Sequence, residues 1–199
     1  MRIRNLIVIL LSVLNVQSAL AAKDVFGNWI DPRGYGCVTA DTLLSIGSDA
    51  TIRISDVRPN QYLINASNKR VIAASVTAGP ETNAMFKITT ITGKTITATK
   101  GHPFYNSNGV RLAGEFEIGE GILTVSGMEE VVDVQLANYK GNVWNLMVAH
   151  PTLANNEGKN VWPALKRLNP LLGLGVSDHT VVLNGFVSGD LLIQNLFVK

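Results

Sequence analysis

Short apolar runs closed by turn residues set the rhythm of this chain from position 38 onward. Thr51-Ile52-Arg53-Ile54 alternates with a period of two. Gln61-Tyr62-Leu63-Ile64 leads to the turn pair Ser67-Asn68 before Val71-Ile72 begins another run. The runs 85–91 and 95–99 flank Thr92-Gly93-Lys94, a glycine-containing loop between β-branched segments that predicts a hairpin. Further runs lie at 121–125, 130–136, 143–148 and 180–183. The last is followed by an Asn184-Gly185 turn and a final apolar run at 191–198. The pattern predicts an all-β domain.

One region departs from it. Residues 150–177 are rich in Asn, Pro and Gly, and within them only 161–168 has helical spacing, with Trp162, Leu165 and Leu168 on one side. Long connections of this kind inside a domain are usually insertions with a task or mobile flaps. There is also a faint internal echo. Ile52-Arg53-Ile54-Ser55, a polar connector and Tyr62-Leu63 resemble Val110-Arg111-Leu112-Ala113, a connector and Ile122-Leu123. A true repeat implies two related β-lobes.

The first residues carry Arg2 and Arg4, then the apolar run 6–16, then Gln17-Ser18-Ala19-Leu20-Ala21-Ala22. This is the charged, apolar, small-residue order of a secretory signal peptide, expected to be cut after Ala21 or Ala22. The run is too short for a permanent span, which needs about 20 apolar residues, and it contains Ser12 and Asn15. Residues 1–22 are therefore read as the signal, 23–36 as a short N-terminal segment, and 37–199 as the domain. The expected location is outside the reducing cytosol, secreted or periplasmic, with no stable membrane span after signal removal.

The 199 residues are 46% hydrophobic and 16% charged, which suits one folded domain. Seventeen Lys and Arg against fifteen Asp and Glu leave a formal charge of +2, without the basic footprint of a nucleic-acid or anionic-membrane partner. A single cysteine, Cys37, can form no internal disulfide and lacks the paired spacing of a structural zinc site. In an exported chain an idle thiol is prone to oxidation, so Cys37 is read as either shielded or reactive.

Cys37 follows a glycine, and the nearest carbonyl it can attack is that of Gly36, rearranging the peptide to a thioester by an N-to-S acyl shift. Glycine suits the upstream position because no side chain blocks the tetrahedral centre. Twisting the amide by about 12° costs only about 1 kcal/mol, so acid–base help must supply more of the rate. Thr99-Lys100-Gly101-His102 places a hydroxyl and an imidazole three positions apart at a strand end, with Pro103 expected to end the ladder. His179 opens a strand that ends in the Asn184-Gly185 turn; taken singly, such histidines are more often structural. His150, before Pro151, receives no role.

Taken together, Gly36-Cys37, Ile54-Ser55-Asp56-Val57 leading to Tyr62-Leu63, Thr99-x-x-His102, Val143-Trp144-Asn145-Leu146-Met147-Val148 and His179-Thr180-Val181-Val182-Leu183-Asn184-Gly185 resemble the Hint module of hedgehog autoprocessing domains and inteins. The resemblance covers about residues 36–190, interrupted by the 150–177 insertion. It implies an all-β, horseshoe-like disk with pseudo-twofold lobes. It also implies Cys37 as nucleophile, Thr99 and His102 as the groups that assist breakage of the Gly36–Cys37 amide, and His179 as a histidine supporting later steps. Two departures limit it. Inteins normally end in His-Asn followed by Cys, Ser or Thr, whereas Asn184 is followed by Gly185-Phe186-Val187-Ser188-Gly189-Asp190, which argues against full splicing. Sterol-transferring hedgehog modules carry an aspartate before Thr-x-x-His, and Ala73-Ala74-Ser75-Val76-Thr77 has none.

The expected activity is a single self-cleavage at Gly36–Cys37, with the chain's own N-terminal segment as substrate and water, a thiol or an amine as acyl acceptor. Effective molarities of about 10⁵ to 10⁸ M in well-oriented intramolecular reactions make a metal or cofactor unnecessary. The segment released after signal removal would be the 14 residues 23–36. Two rivals stand beside it: a catalytically silent Hint-like secreted binding or structural module, and a secreted cysteine hydrolase acting on other molecules.

Overall fold

The computed structural model describes residues 36–47, 49–153 and 176–197. The signal-like segment, residues 23–35 and the expected helix at 161–168 lie outside them. Among the described residues the chain forms β1 (Val38–Thr39), β2 (Leu43–Ser45), β3 (Thr51–Arg53), β4 (Tyr62–Ile64), β5 (Arg70–Pro80), β6 (Met85–Thr90) and β7 (Thr95–Ala98). There follow β8 (Pro103–Asn106), β9 (Gly109–Leu112), β10 (Gly121–Thr124), β11 (Gly127–Ala137), β12 (Asn142–Ala149), β13 (Thr180–Leu183), β14 (Phe186–Gly189) and the helix α1 (Leu191–Phe197). The all-β expectation holds.

All pairings are antiparallel, in the order β3-β2-β13-β14-β10-β11-β6-β7-β1-β12-β5-β4, with β8 joining β14 to β9. Antiparallel neighbours need only short connections, which is what the turn-rich sequence supplies. The β6–β7 hairpin forms as predicted. Gly93 takes φ +82°, a left-handed turn conformation that favours glycine. One buried apolar cluster runs through both halves, from Val38, Leu63 and Leu146 to Phe104, Ile122 and Phe186. Phe104 packs edge-on against Phe116 and Phe186.

The internal echo is structural, although its register differs from the sequence reading. β3 enters a 3-10 turn at Ile54–Asp56, then β4 and the long β5; β9 enters a 3-10 turn at Ala113–Glu115, then β10 and the equally long β11. Ile54 matches Ala113, Val57 matches Phe116 and Leu63 matches Ile122, all buried and each pair 59 positions apart, as 54 is from 113. Asn60 and Gly119, also 59 apart, both have positive φ. Side-chain likeness pairs Ile54 with Leu112, whereas the backbone matches on burial.

Two expectations are corrected. The apolar run at 191–198 was grouped with the strands, yet 191–197 is helical. The Asp190 carboxylate accepts the otherwise unpaired N–H groups of Leu192 and Ile193, and a capped first turn favours helix over strand. Pro103 was expected to end the ladder, yet it opens β8. The first position of a strand is where a residue lacking an N–H is tolerated. Away from the core, the buried Glu129 carboxylate accepts from the hydroxyls of Thr90 (2.7 Å), Thr92 and Thr124 (2.9 Å) and pairs with Lys94. Burial alone would raise its pKa, but Lys94 and the three hydroxyls hold it at about 2, so it ties β10, β11 and the β6–β7 loop together as an anion.

Candidate active site

The strand β1 lies between β7 and β12, so the peptide entering β1 is flanked by residues leaving β7 and residues within β12. On the β7 side, Thr99-Lys100-Gly101-His102 makes a tight turn in which His102 N–H donates to the Thr99 carbonyl at 3.0 Å. Thr99 grips Cys37 twice. Its N–H donates to the Cys37 carbonyl at 2.8 Å, and its Oγ1 accepts the Cys37 N–H at 2.8 Å. On the β12 side, Asn145 Nδ2 donates to the Gly36 carbonyl oxygen at 2.5 Å.

The Gly36–Cys37 peptide is thus held at its oxygen by Asn145 and at its nitrogen by Thr99. Asn145 is itself saturated: its second Nδ2 hydrogen goes to Gln194 Oε1 of α1 at 2.6 Å, and its Oδ1 accepts Leu146 N–H at 2.7 Å. Gly36 rests directly on the Thr99–His102 turn. A Cβ at position 36 would lie 2.3 Å from His102 Cα and 2.6 Å from the Gly101 carbonyl oxygen.

His102 is 1% exposed, stacked edge-on against Phe104 at 4.9 Å, with Nε2 2.8 Å from Ser188 Oγ. Its Nδ1 makes no well-formed hydrogen bond, the Gly36 carbonyl being the ring's backbone acceptor. Burial lowers the ring's pKa to about 4, against a smaller opposing effect of the Gly36 carbonyl, so the imidazole is neutral at ordinary pH. Cys37 is partly exposed as a residue, but its thiol is enclosed. Burial first, and the Glu81 carboxylate second, push its pKa from 9.0 to about 12. The sulfur therefore rests as a thiol, and it reacts only if a nearby base removes its proton.

Of the four residues singled out from the sequence, Cys37, Thr99 and His102 converge with Gly36. His179 is held by other residues. Its Nδ1 is 2.8 Å from Asp190 Oδ2, both groups are fully buried, and the same carboxylate accepts Val148 N–H at 2.9 Å. Asn145, Gln194, Ser188 and Asp190 were missed. The signal for Asn145 was present, since a polar side chain inside the apolar run 143–148 must find buried partners. Nothing local distinguishes Gln194 or Ser188.

Solved structures of inteins share this architecture. A crystal structure of the gp41-1 intein superposes with a TM-score of 0.57 at 12% identity, over 78% of this chain and 99% of that one. The DnaB intein from Synechocystis sp. PCC 6803 gives 0.56 at 18% identity, over 78% and 99%. A bacterial intein-like domain from Clostridium thermocellum gives 0.56 at 17% identity, over 78% and 98%. The chain has the Hint fold. No family model and no curated protein matches the sequence itself.

The two lobes of this Hint fold repeat the turn that holds His102. Thr39-Ala40-Asp41-Thr42 closes with Thr42 N–H donating to the Thr39 carbonyl at 3.1 Å, as His102 does to Thr99. Ile54 N–H then bonds the Thr42 carbonyl, just as Ala113 N–H bonds that of His102. The position of the imidazole in one lobe is a threonine in the other, so the imidazole belongs to one lobe alone.

The depressed His102 pKa has a consequence for stability. The ring titrates at about 4 in the fold against 6.5 ordinarily, so between those values the unfolded chain binds more protons. Stability therefore rises with pH across that window and is lost as pH falls through it, by about 3 kcal/mol for this group. Urea unfolding at pH 6.5 and pH 4 should show this extra acid loss in Cys37→Ala and not in Cys37→Ala/His102→Gln.

Proposed function

We propose that the chain is an exported self-processing protein that converts its Gly36–Cys37 amide to a thioester, which water, a thiol or an amine then opens. The observation that carries this reading is the grip on one particular peptide bond. Its carbonyl oxygen is 2.5 Å from a buried Asn145 donor and its N–H is 2.8 Å from Thr99 Oγ1, beside a neutral imidazole. An amide N–H donor aimed at a carbonyl oxygen is equally aimed at the oxyanion that forms when the carbon becomes tetrahedral. Sγ attacks the Gly36 carbon, the C–N bond breaks, and the thiol proton reaches the departing nitrogen, leaving the α-amine of Cys37. With the thiol resting protonated, the base and the acid are the same group, His102, which is neutral and enclosed at this peptide.

The silent-module rival called for a buried, unreactive Cys37 far from His102; the enclosed thiol agrees with that rival, whereas the contact between Gly36 and the His102 backbone favours the self-cleaving reading. The role of His179 in later steps, the release of residues 23–36 and the export of the chain belong to this proposal as expectations. The test is a mass measurement under denaturing conditions, with and without dithiothreitol or hydroxylamine. The expected result is a fragment beginning at Cys37 that increases with either nucleophile and never forms from Cys37→Ala. An uncut mass in the native chain under every condition ends the reading.

A further inference from the structure

Gln194 belongs to none of the motifs read from the sequence, yet it touches the side chain that holds the Gly36 carbonyl. Its Oε1 accepts a hydrogen from Asn145 Nδ2 at 2.6 Å, and both side chains are buried. The start of α1 puts it there. Asp190 accepts the N–H groups of Leu192 and Ile193 at 2.9 and 3.2 Å, and Gln194 N–H donates to the Asp190 carbonyl at 3.0 Å, closing the first turn. Asp190 Oδ2 also accepts Val148 N–H at 2.9 Å, so the root of α1 is fastened to β12, the strand that carries Asn145.

A primary amide carries two hydrogens on one nitrogen in a rigid plane, so fixing the direction of one fixes the other. Asn145 spends one on the Gly36 oxygen and the other on Gln194, while its Oδ1 accepts Leu146 N–H. The Leu146 bond is made by the next residue of the same strand and defines the oxygen end of the amide. The Gln194 oxygen, 49 positions away in sequence, defines the nitrogen end. Buried donors find acceptors. Without that oxygen, the amide gains by turning its second hydrogen toward another acceptor, and the first then swings off the Gly36 oxygen.

We propose that Gln194 is a positioning residue that aims the Asn145 amide at the Gly36 carbonyl, so that α1 completes the site that acts on the peptide before Cys37. This rests on the self-cleavage reading, with Asn145 as its carbonyl donor. It also sets an order of events. The Gly36–Cys37 peptide reaches its reacting geometry only when α1 has docked against β12, so cleavage follows the folding of the far end of the domain.

Two measurements test this. In the full chain carrying Cys37→Ala, which stays uncut, ¹H–¹⁵N spectra show the side-chain NH₂ of Asn145, assigned by its loss in Cys37→Ala/Asn145→Ala. Adding Gln194→Met, close in length but without this acceptor, is expected to move both hydrogen signals, the one facing Gly36 included. In the chain that retains Cys37, Gln194→Met is expected to slow hydroxylamine-induced cleavage about tenfold, less than loss of the donor itself. That factor is expected to vanish in the Asn145→Ala background, because a residue acting through Asn145 then has nothing to aim. Gln194→Asn keeps the amide but falls one methylene short, and is expected to behave alike should Gln194→Met disturb α1. Equal slowing with and without Asn145 marks packing of α1 alone and overturns the proposal, as does a Gly36-facing signal that neither substitution moves. Absence of cleavage in the native chain overturns the self-processing reading, while the spectra still decide whether Gln194 aims Asn145.

Discussion

Replacing Asn145 with alanine is expected to slow cleavage of the Gly36–Cys37 bond roughly 10²- to 10³-fold, the usual cost of removing one oxyanion donor. Asn145 Nδ2 donates to the Gly36 oxygen at 2.5 Å, and the contact is buried. The fold should survive. Asn145 occupies one position of the eight-residue β12, whose ladder to β5 is made by backbone groups. Its loss leaves Gln194 Oε1 without this donor and Leu146 N–H without the Oδ1 acceptor, a stability cost of order 1–3 kcal/mol that thermal unfolding would register. The measurement is the rate of hydroxylamine-induced cleavage beside the unfolding midpoint. A variant that folds and cleaves at the native rate removes Asn145 from the reaction.

Gly36→Ala is expected to reduce cleavage by about 10²-fold or more, although alanine is among the mildest of substitutions elsewhere. The added Cβ would meet His102 Cα at 2.3 Å, the Gly101 carbonyl oxygen at 2.6 Å and His102 N at 2.7 Å. All three are backbone atoms, with no rotamer to turn away. Either the Gly36 carbonyl leaves Asn145 or the Thr99–His102 turn moves off the peptide, and a displacement of about 1 Å at a reacting centre costs on the order of 10²-fold. Because Gly36 contributes nothing to the buried apolar cluster, stability should change far less than rate. Measuring both in one variant separates the two. Native-rate cleavage by Gly36→Ala would mean that the reacting peptide does not sit against this turn.

The all-β class was legible because β-branched runs of four to eight residues alternate with turn residues, a local pattern needing no tertiary information. Cys37, Thr99 and His102 were legible for a related reason. Side chains able to act as nucleophile or acid and base are few in kind, and Thr99-x-x-His102 places a hydroxyl and an imidazole within one turn. The helix at Leu191–Phe197 was not legible. Leu-Leu-Ile-Gln-Asn-Leu-Phe is apolar enough for either state, and the decision came from Asp190, whose capping role is visible only once its carboxylate is seen on Leu192 and Ile193. The duplication was visible but misaligned, because side chains drift between lobes while buried positions and positive-φ turns keep their spacing.

By itself, the sequence determined the strand pattern, the lone thiol after a glycine and the histidine three residues beyond Thr99, since each depends on chemistry or periodicity within a few positions. Only the tertiary structure decided that β1 runs between β7 and β12, that Asn145 therefore reaches the Gly36 oxygen across 109 positions, and that Ser188 stands behind His102 across 86. The physical reason is range. A hydrogen bond is satisfied over about 3 Å of space, and strand pairing sets which distant residues come within that distance.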